Sequence, residues 1–266
     1  MRRLAWWIAP ATFAGLFLLY VPLAAVAVLS FNATRHGQSW GGFTWDWYVR
    51  MAHNQAILEA AWNTLVVGLL STAIATVLGT LLAVGLARIP WPRWFRRGSD
   101  LAINLPVVTP DILLAIALVG AFAVLREWWP VFKPGMITLV VAHTTFQISF
   151  VCLVVTSRLV TIPRDQIEAA RDLYASRWGL WWRVLLPQLA PGIVAGALLA
   201  FTISLDDFVV SFFVTGPDST TLPILIYASV RRGVTPEIHA LSTVIVAATM
   251  LAILAVSVIH KRHQPE

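Results

Sequence analysis

The amino-acid sequence predicts an all-α integral membrane protein: six transmembrane helices in one domain over residues 1–266, with the N- and C-termini in the cytoplasm. Three observations predict it. The first is composition. Of 266 residues, 58% are hydrophobic and 12% charged, with a mean hydropathy of +0.76, whereas soluble domains carry about 25% charged residues. The second is the presence of six apolar runs, at about 6–31, 62–87, 101–124, 135–158, 191–214 and 238–259. Each is long enough to cross a ~30 Å hydrocarbon layer, which takes about 20 helical residues. The third is the sorting of 19 Lys and Arg residues. With the N-terminus inside, Arg2, Arg3, the loop around Arg88–Arg97, the interval Arg158–Arg183, and Lys261 and Arg262 all fall on the cytoplasmic side. Only Arg35, Arg50, Arg126, Lys133, Arg231 and Arg232 fall outside. This is the positive-inside bias. It accounts for the net charge of +6 without a nucleic-acid partner, and the partner it implies is the lipid bilayer.

Taken in order, the first run follows Met1-Arg2-Arg3 and is too long for a signal-peptide core, so it reads as a retained helix. Residues 32–61 form an outer loop with Trp40, Trp45, Trp47 and Tyr48, read as an interfacial aromatic belt or as part of a docking surface for an external partner. The second span carries small residues from Gly68 to Thr80, and the fifth carries Gly192, Gly196 and Ala200 at four-residue spacing. Such faces let helices approach closely in lipid. The third span is interrupted by Pro106 and Pro110. Proline lacks a backbone donor and suits the first turn of a restarted helix, so a break near Pro110 is expected, of the kind tolerated where a helix lines a cavity or is buried in protein. Counted straight from Leu101, Asp111 lies roughly 15 Å into the membrane. Leu222–Val230, in the second outer loop, reads as a short re-entrant or interfacial helix, and His260–His263 as a basic membrane-surface anchor.

Three acids fall within spans: Asp111, Asp206 and Asp207. Each costs roughly 2.5–3.5 kcal/mol at a helix centre, so each is a functional candidate. Counted from Pro191, Asp206 and Asp207 lie roughly 23 Å in. Adjacent helical residues point about 100° apart, so these two cannot share a direction. Phe201, Ser204, Phe208 and Ser211 form a stripe beside Asp207. Aromatics, hydroxyls and a carboxylate on one face suit a cation, and the competing role for an acid is to pair with an Arg or a backbone amide of a neighbouring helix. The expected substrate path is therefore Asp111, Ser204, Asp206, Asp207 and Phe208. His143, near Thr144, Thr145 and Gln147, reads as an interhelical hydrogen-bonding residue. The lone Cys152 reads as a small core residue. The sequence holds no metal-ligand spacing, no phosphate-binding glycine loop and no nucleophile elbow, so neither a metal site nor catalytic residues are expected.

The most polar interval is 163–187. Pro163 and Asp165 suit a helix start; Ile167, Ala170 and Tyr174 share a face, and Glu168 and Asp172 form an acidic edge. Ser176 is placed to cap a second helix with an apolar face of Trp178, Trp181, Trp182 and Leu185, ended by Pro187.

Glu168-Ala169-Ala170, followed by Asp172-Leu173, Tyr174, Ala175-Ser176 and the closing Leu186-Pro187, resembles the EAA loop of bacterial ABC-importer permeases. The segments Asn104–Asp111, Ser204–Phe208, Phe213–Pro217, Thr221–Pro223 and Gly233–Ile238 are similar to the spermidine/putrescine branch of that family. The resemblance covers nearly the whole chain and departs at Tyr174, where the family usually has glycine. It implies a type I ABC-importer permease fold and alternating access of polyamines, with Glu168, Ala169, Ala170, Asp172, Leu173 and Tyr174 forming the coupling segment. It also implies two copies of a cytoplasmic ATPase that carry the ATP and Mg2+, a second homologous permease and an extracytoplasmic polyamine-binding protein, all at the bacterial inner membrane. From sequence, an importer of iron(III), sulfate or another amine, a proton-coupled carrier and a membrane-embedded enzyme stay open beside it; the intramembrane acids argue against anions.

Overall fold

The computed structural model describes residues 2–34 and 39–262, by backbone only at 2–7, 164, 177 and 252–262. Among these residues the structure is helical, apart from one isolated bridge between Asn32 and Phe43. In chain order the helices are α1 (Arg2–Leu29), α2 (Asp46–His53), α3 (Gln55–Arg88), α4 (Arg93–Val108), α5 (Asp111–Trp128), α6 (Met136–Val160), α7 (Arg164–Asp172), α8 (Arg177–Leu180), a π-helical turn (Trp181–Leu185), α9 (Leu186–Asp206), α10 (Val209–Val214), α11 (Leu222–Arg232) and α12 (Pro236–Arg262). Arg35 and the side chains of the expected anchor at His260–His263 lie outside the described residues.

Among the described residues, four helical stretches are long and apolar enough to cross a bilayer: Ile8–Leu29, Gln55–Arg88, Met136–Val160 and Trp178–Asp206. The pair α4–α5 passes the same test together but bends by 117°, and Pro236–Leu251 of α12 is a shorter apolar stretch. The six expected runs map onto these elements with altered edges. α3 begins at Gln55, so the outer loop expected at 32–61 already holds α2 and the start of α3. At 34 residues α3 is about 51 Å long, more than a bilayer needs. The short helix expected at Leu222–Val230 is α11.

Two interruptions differ from what the sequence suggested. Pro187 does not end the helix of the coupling loop. The chain widens into the π turn at Trp181–Leu185, and Pro187 sits in the first turn of α9, where its missing N–H removes no bond that the helix needs. The fifth span is also not one helix: α9 stops at Asp206 and α10 starts at Val209. The straight count from Leu101 to Asp111 is disturbed by the 117° bend, whereas the count from Pro191 runs along unbroken helix as far as Asp206.

The chain divides into two compact units, residues 1–58 with 225–266, and residues 59–224. In the first, α12 packs on α1 and α2, and Asn54 Nδ2 donates to Glu237 Oε2 at 2.9 Å. The tryptophan-rich segment folds around Asn32. Its Oδ1 accepts from the amides of Thr34 and Gly41, its Nδ2 donates to Ser39 O, and its carbonyl accepts from Trp47 Nε1 at 2.8 Å. Phe31, Phe43, Trp45 and Tyr48 stack around it. Trp47 is buried, while Trp40 and Trp45 are exposed.

The second unit is built on α6. Leu139, Ala142, Val151 and Val155 of α6 are fully buried, as is Cys152 to within 2%. Lipid is as apolar as these side chains, so close packing rather than exclusion from water holds the contacts. The small residues permit it. A Cβ on Gly79 would lie 2.8 Å from Val151 Cβ, and one on Gly192 2.6 Å from Arg158 Cβ, so α3 and α9 both meet α6 where only hydrogen fits.

Candidate functional site

The break between α4 and α5 comes from two prolines. Pro106 lies inside α4, and Pro110 precedes the first residue of α5. Its carbonyl accepts the amides of Leu113 and Leu114, starting the new helix. Asp111 thus stands at the N-terminus of α5, where the helix dipole favours a negative charge.

The break between α9 and α10 has a different origin, because residues 203–214 contain neither proline nor glycine. The carboxylate of Asp207 captures the backbone: Oδ1 accepts the amide of Val210 at 3.2 Å and Oδ2 that of Ser211 at 2.8 Å. An aspartate that bonds amides three and four residues ahead competes with helix continuation. The other side of the joint is His143 of α6. Its Nε2 lies 3.3 Å from Asp207 Oδ2 and 3.0 Å from Ser211 Oγ; its Nδ1 lies 2.7 Å from Ser204 Oγ. The carboxylate can only accept, so the ring presents Nε2–H to it and Nδ1 pairs with the Ser204 hydroxyl. His143 is 1% exposed and Ser211 fully buried, so this is a satisfied polar network in an apolar interior, a situation in which losing one partner is costly.

Beside this joint lies a cavity of roughly 260 Å³ that Asp111, Asp206, Asp207 and Phe208 reach together with Phe146 and Phe150. Its size suits a slender aliphatic chain better than a drug-sized ligand. Of the five residues expected on the substrate path, four line it. Ser204 does not; it is buried against His143. The two neighbouring acids differ in exposure. Asp206 is exposed to the cavity, while Asp207 is turned into the joint, its side chain 9% exposed. Phe146 and Phe150 were not anticipated as lining residues. Their one signal in the sequence is four-residue spacing on the helix that carries His143. Among the described residues, no group of three His, Cys, Asp or Glu could hold a metal ion.

The segment expected to couple to an ATPase is a helix–turn–helix. α7 buries Ile167 to 4% and exposes Glu168, Ala169 and Asp172. It closes in a Schellman motif: Tyr174 N donates to Arg171 O at 2.9 Å and Ala175 N to Ala170 O at 3.0 Å. The motif needs a left-handed residue, and Tyr174 takes that role at φ +55°. A tyrosine therefore makes the turn that glycine usually makes, at a cost of about 1 kcal/mol. Ser176 Oγ accepts the amide of Gly179 at 3.1 Å and caps α8. Leu173 and Tyr174 are 83% and 95% exposed, and Trp178 is exposed as well. Trp181 and Leu185 turn inward.

Residues 75–266 match the family described as "Binding-protein-dependent transport system inner membrane component". The chain is 38% identical over 236 residues to the putrescine transport system permease protein PotI of Escherichia coli (strain K12), covering 88% of this chain and 83% of that one. It is also 38% identical over 240 residues to the spermidine/putrescine transport system permease protein PotC of the same strain, covering 89% and 87%. Its fold is similar to a chain of a bacterial ABC transporter involved in the import of the acidic polysaccharide alginate, with a TM-score of 0.76 at 18% identity over 98% of this chain and 96% of that one. The MetNI methionine ABC transporter in an inward-facing conformation gives a TM-score of 0.60 at 20% identity over 84% and 100%.

Proposed function

Because this chain belongs to the binding-protein-dependent transport inner membrane component family, as a multi-pass inner-membrane permease subunit of an ABC importer and not an enzyme, we propose that it moves spermidine and putrescine into the cytoplasm by alternating access. The observation that carries this reading is the cavity in which three acids stand among aromatic rings: Asp207, already bonded to two backbone amides, and the pair Asp111 and Asp206. A polyamine is a flexible chain with an ammonium at each end. Separate carboxylates attract the ends, and Phe146, Phe150 and Phe208 offer apolar contact and cation–π attraction between them. Sites of this kind must admit a cation without trapping it, which two spaced, partly hydrated carboxylates do better than one buried cluster.

The driving step belongs to partners. Two copies of a cytoplasmic ATPase bind ATP and Mg2+ and close on each other; this chain supplies no nucleotide site. The segment Glu168, Ala169, Ala170, Asp172, Leu173 and Tyr174 docks on one of them. The exposed apolar tip at Leu173 and Tyr174 beside the acidic edge of Glu168 and Asp172 supports that role. Beyond the turn at Leu173–Ser176, α8, the π turn and α9 run on from Arg177 to Asp206, so a displacement of the docking helix that the turn transmits has a helical route to the cavity. A second, homologous permease completes the pathway, and an extracytoplasmic binding protein delivers the polyamine and sets most of the choice between spermidine and putrescine.

The test is uptake of labelled putrescine by the assembled transporter in proteoliposomes. Asp111→Asn and Asp206→Asn are each expected to lower uptake while the complex still assembles. Glu168→Ala is expected to abolish uptake and polyamine-stimulated ATP hydrolysis while the permease still inserts. Unchanged uptake in both Asn variants would remove the carboxylates from the path, and normal coupling in Glu168→Ala would remove the docking assignment.

A further inference from the structure

The buried histidine of α6 has no place in the transport scheme above, yet it touches both halves of the broken fifth span. His143 Nδ1 reaches Ser204 in α9 at 2.7 Å, and Nε2 reaches Ser211 in α10 at 3.0 Å and Asp207 between them at 3.3 Å. Asp206 and Asp207 both reach the cavity, and the joint decides which of them keeps its carboxylate available there. Asp207 is committed to two backbone amides and the imidazole, which leaves little of its acceptor capacity for a ligand. Asp206, the last residue of α9, is then the more exposed of the two in the space shared with Asp111.

We propose that His143 is a positioning residue for the cation path: it fixes the α9–α10 break through Ser204, Asp207 and Ser211, and so aims Asp206 into the cavity with Asp111. Asp207 belongs to this device rather than to the set of groups that hold the substrate. The inference rests on the cation-path reading given above. It deepens that reading by assigning substrate contact to Asp111 and Asp206 and alignment to His143 and Asp207. A neutral hydrogen-bonding side chain of similar reach serves the purpose in part, because the role is to hold geometry and not to carry charge to the substrate.

The experiment is a double-mutant cycle on the whole transporter, with uptake of labelled putrescine normalised to copurified ATPase. His143→Ala is expected to lower uptake by about tenfold and His143→Gln to recover part of the loss. The combination His143→Ala/Asp206→Asn is expected to fall no lower than Asp206→Asn alone, within about twofold, since a residue that acts only by aiming Asp206 has nothing left to aim. A merely structural defect multiplies the two losses instead, and that outcome overturns the inference while leaving the cation path intact. Full uptake in His143→Ala overturns it too. Unchanged uptake in Asp206→Asn sinks the cation-path reading and this inference with it. If His143→Ala does not assemble, His143→Gln and Ser211→Ala replace it in the same cycle, with the same two readings of the result.

Discussion

The chain is interrupted at the proposed coupling loop and beside the cavity, and the two interruptions are held by opposite means. The turn between α7 and α8 is exposed and closes through backbone: Tyr174 N to Arg171 O and Ala175 N to Ala170 O. Its side chains point away, Tyr174 being 95% exposed. The joint between α9 and α10 is buried and closes through side chains, with Asp207 on two amides and His143 on Asp207, Ser204 and Ser211. The difference follows from the surroundings. At the aqueous face, water satisfies whatever a turn leaves open, so backbone geometry suffices. Within the membrane each unsatisfied backbone group costs several kcal/mol, so an interrupted helix needs dedicated partners for its freed amides.

The largest effect that separates the two is expected from Asp207→Ala. It leaves two amides without their acceptor and the imidazole N–H with only the Ser211 hydroxyl, at about 3–5 kcal/mol. The yield of intact complex and its thermal stability in detergent should both drop steeply. A stable complex with full uptake would show that the joint is held by packing and would erase the contrast with the exposed turn. Ser211→Ala removes one hydroxyl from the same network while Asp207 keeps both amides, so a smaller loss of about 1 kcal/mol is expected. A loss as large as that of Asp207→Ala would move the centre of the joint from the carboxylate to the serine.

Much of this was legible in the sequence, and the illegible part has a common cause. The apolar runs, the restart at Pro110, the cap at Ser176 and the motif around Glu168 are local signals, and the helices appear where those signals stand. The break after Asp206 has no local signal, because neither proline nor glycine marks it. It exists because His143, on another helix, stabilises an aspartate that has turned back on its own backbone. The same long-range contact decides between Asp206 and Asp207, which sequence spacing separates in direction but cannot assign. Pro187 misleads for a related reason. A proline usually ends a helix, but a wide turn just before it removes the conflict, and that turn depends on Trp181 and Leu185 finding inward places to pack.

The smallest expected effect lies at the exposed turn and carries the finest distinction. Tyr174 holds φ +55°, a conformation that glycine adopts without penalty. Tyr174→Gly should therefore relieve the turn, by a few tenths to about 1 kcal/mol once the greater freedom of glycine in the unfolded chain is counted. Amide exchange at Tyr174 and Ala175, whose N–H groups close the motif, reads that gain directly as slower exchange. If the ring is there for docking, uptake and ATPase coupling should fall in the same variant although the turn itself is firmer. Tyr174→Asn separates the two effects further, since asparagine tolerates the left-handed region but presents no ring. Coupling that rises or stays level in both variants, alongside slower exchange, would make the tyrosine a tolerated substitution at a backbone-held turn. Coupling that falls in both would make it a contact for which the chain accepts local strain.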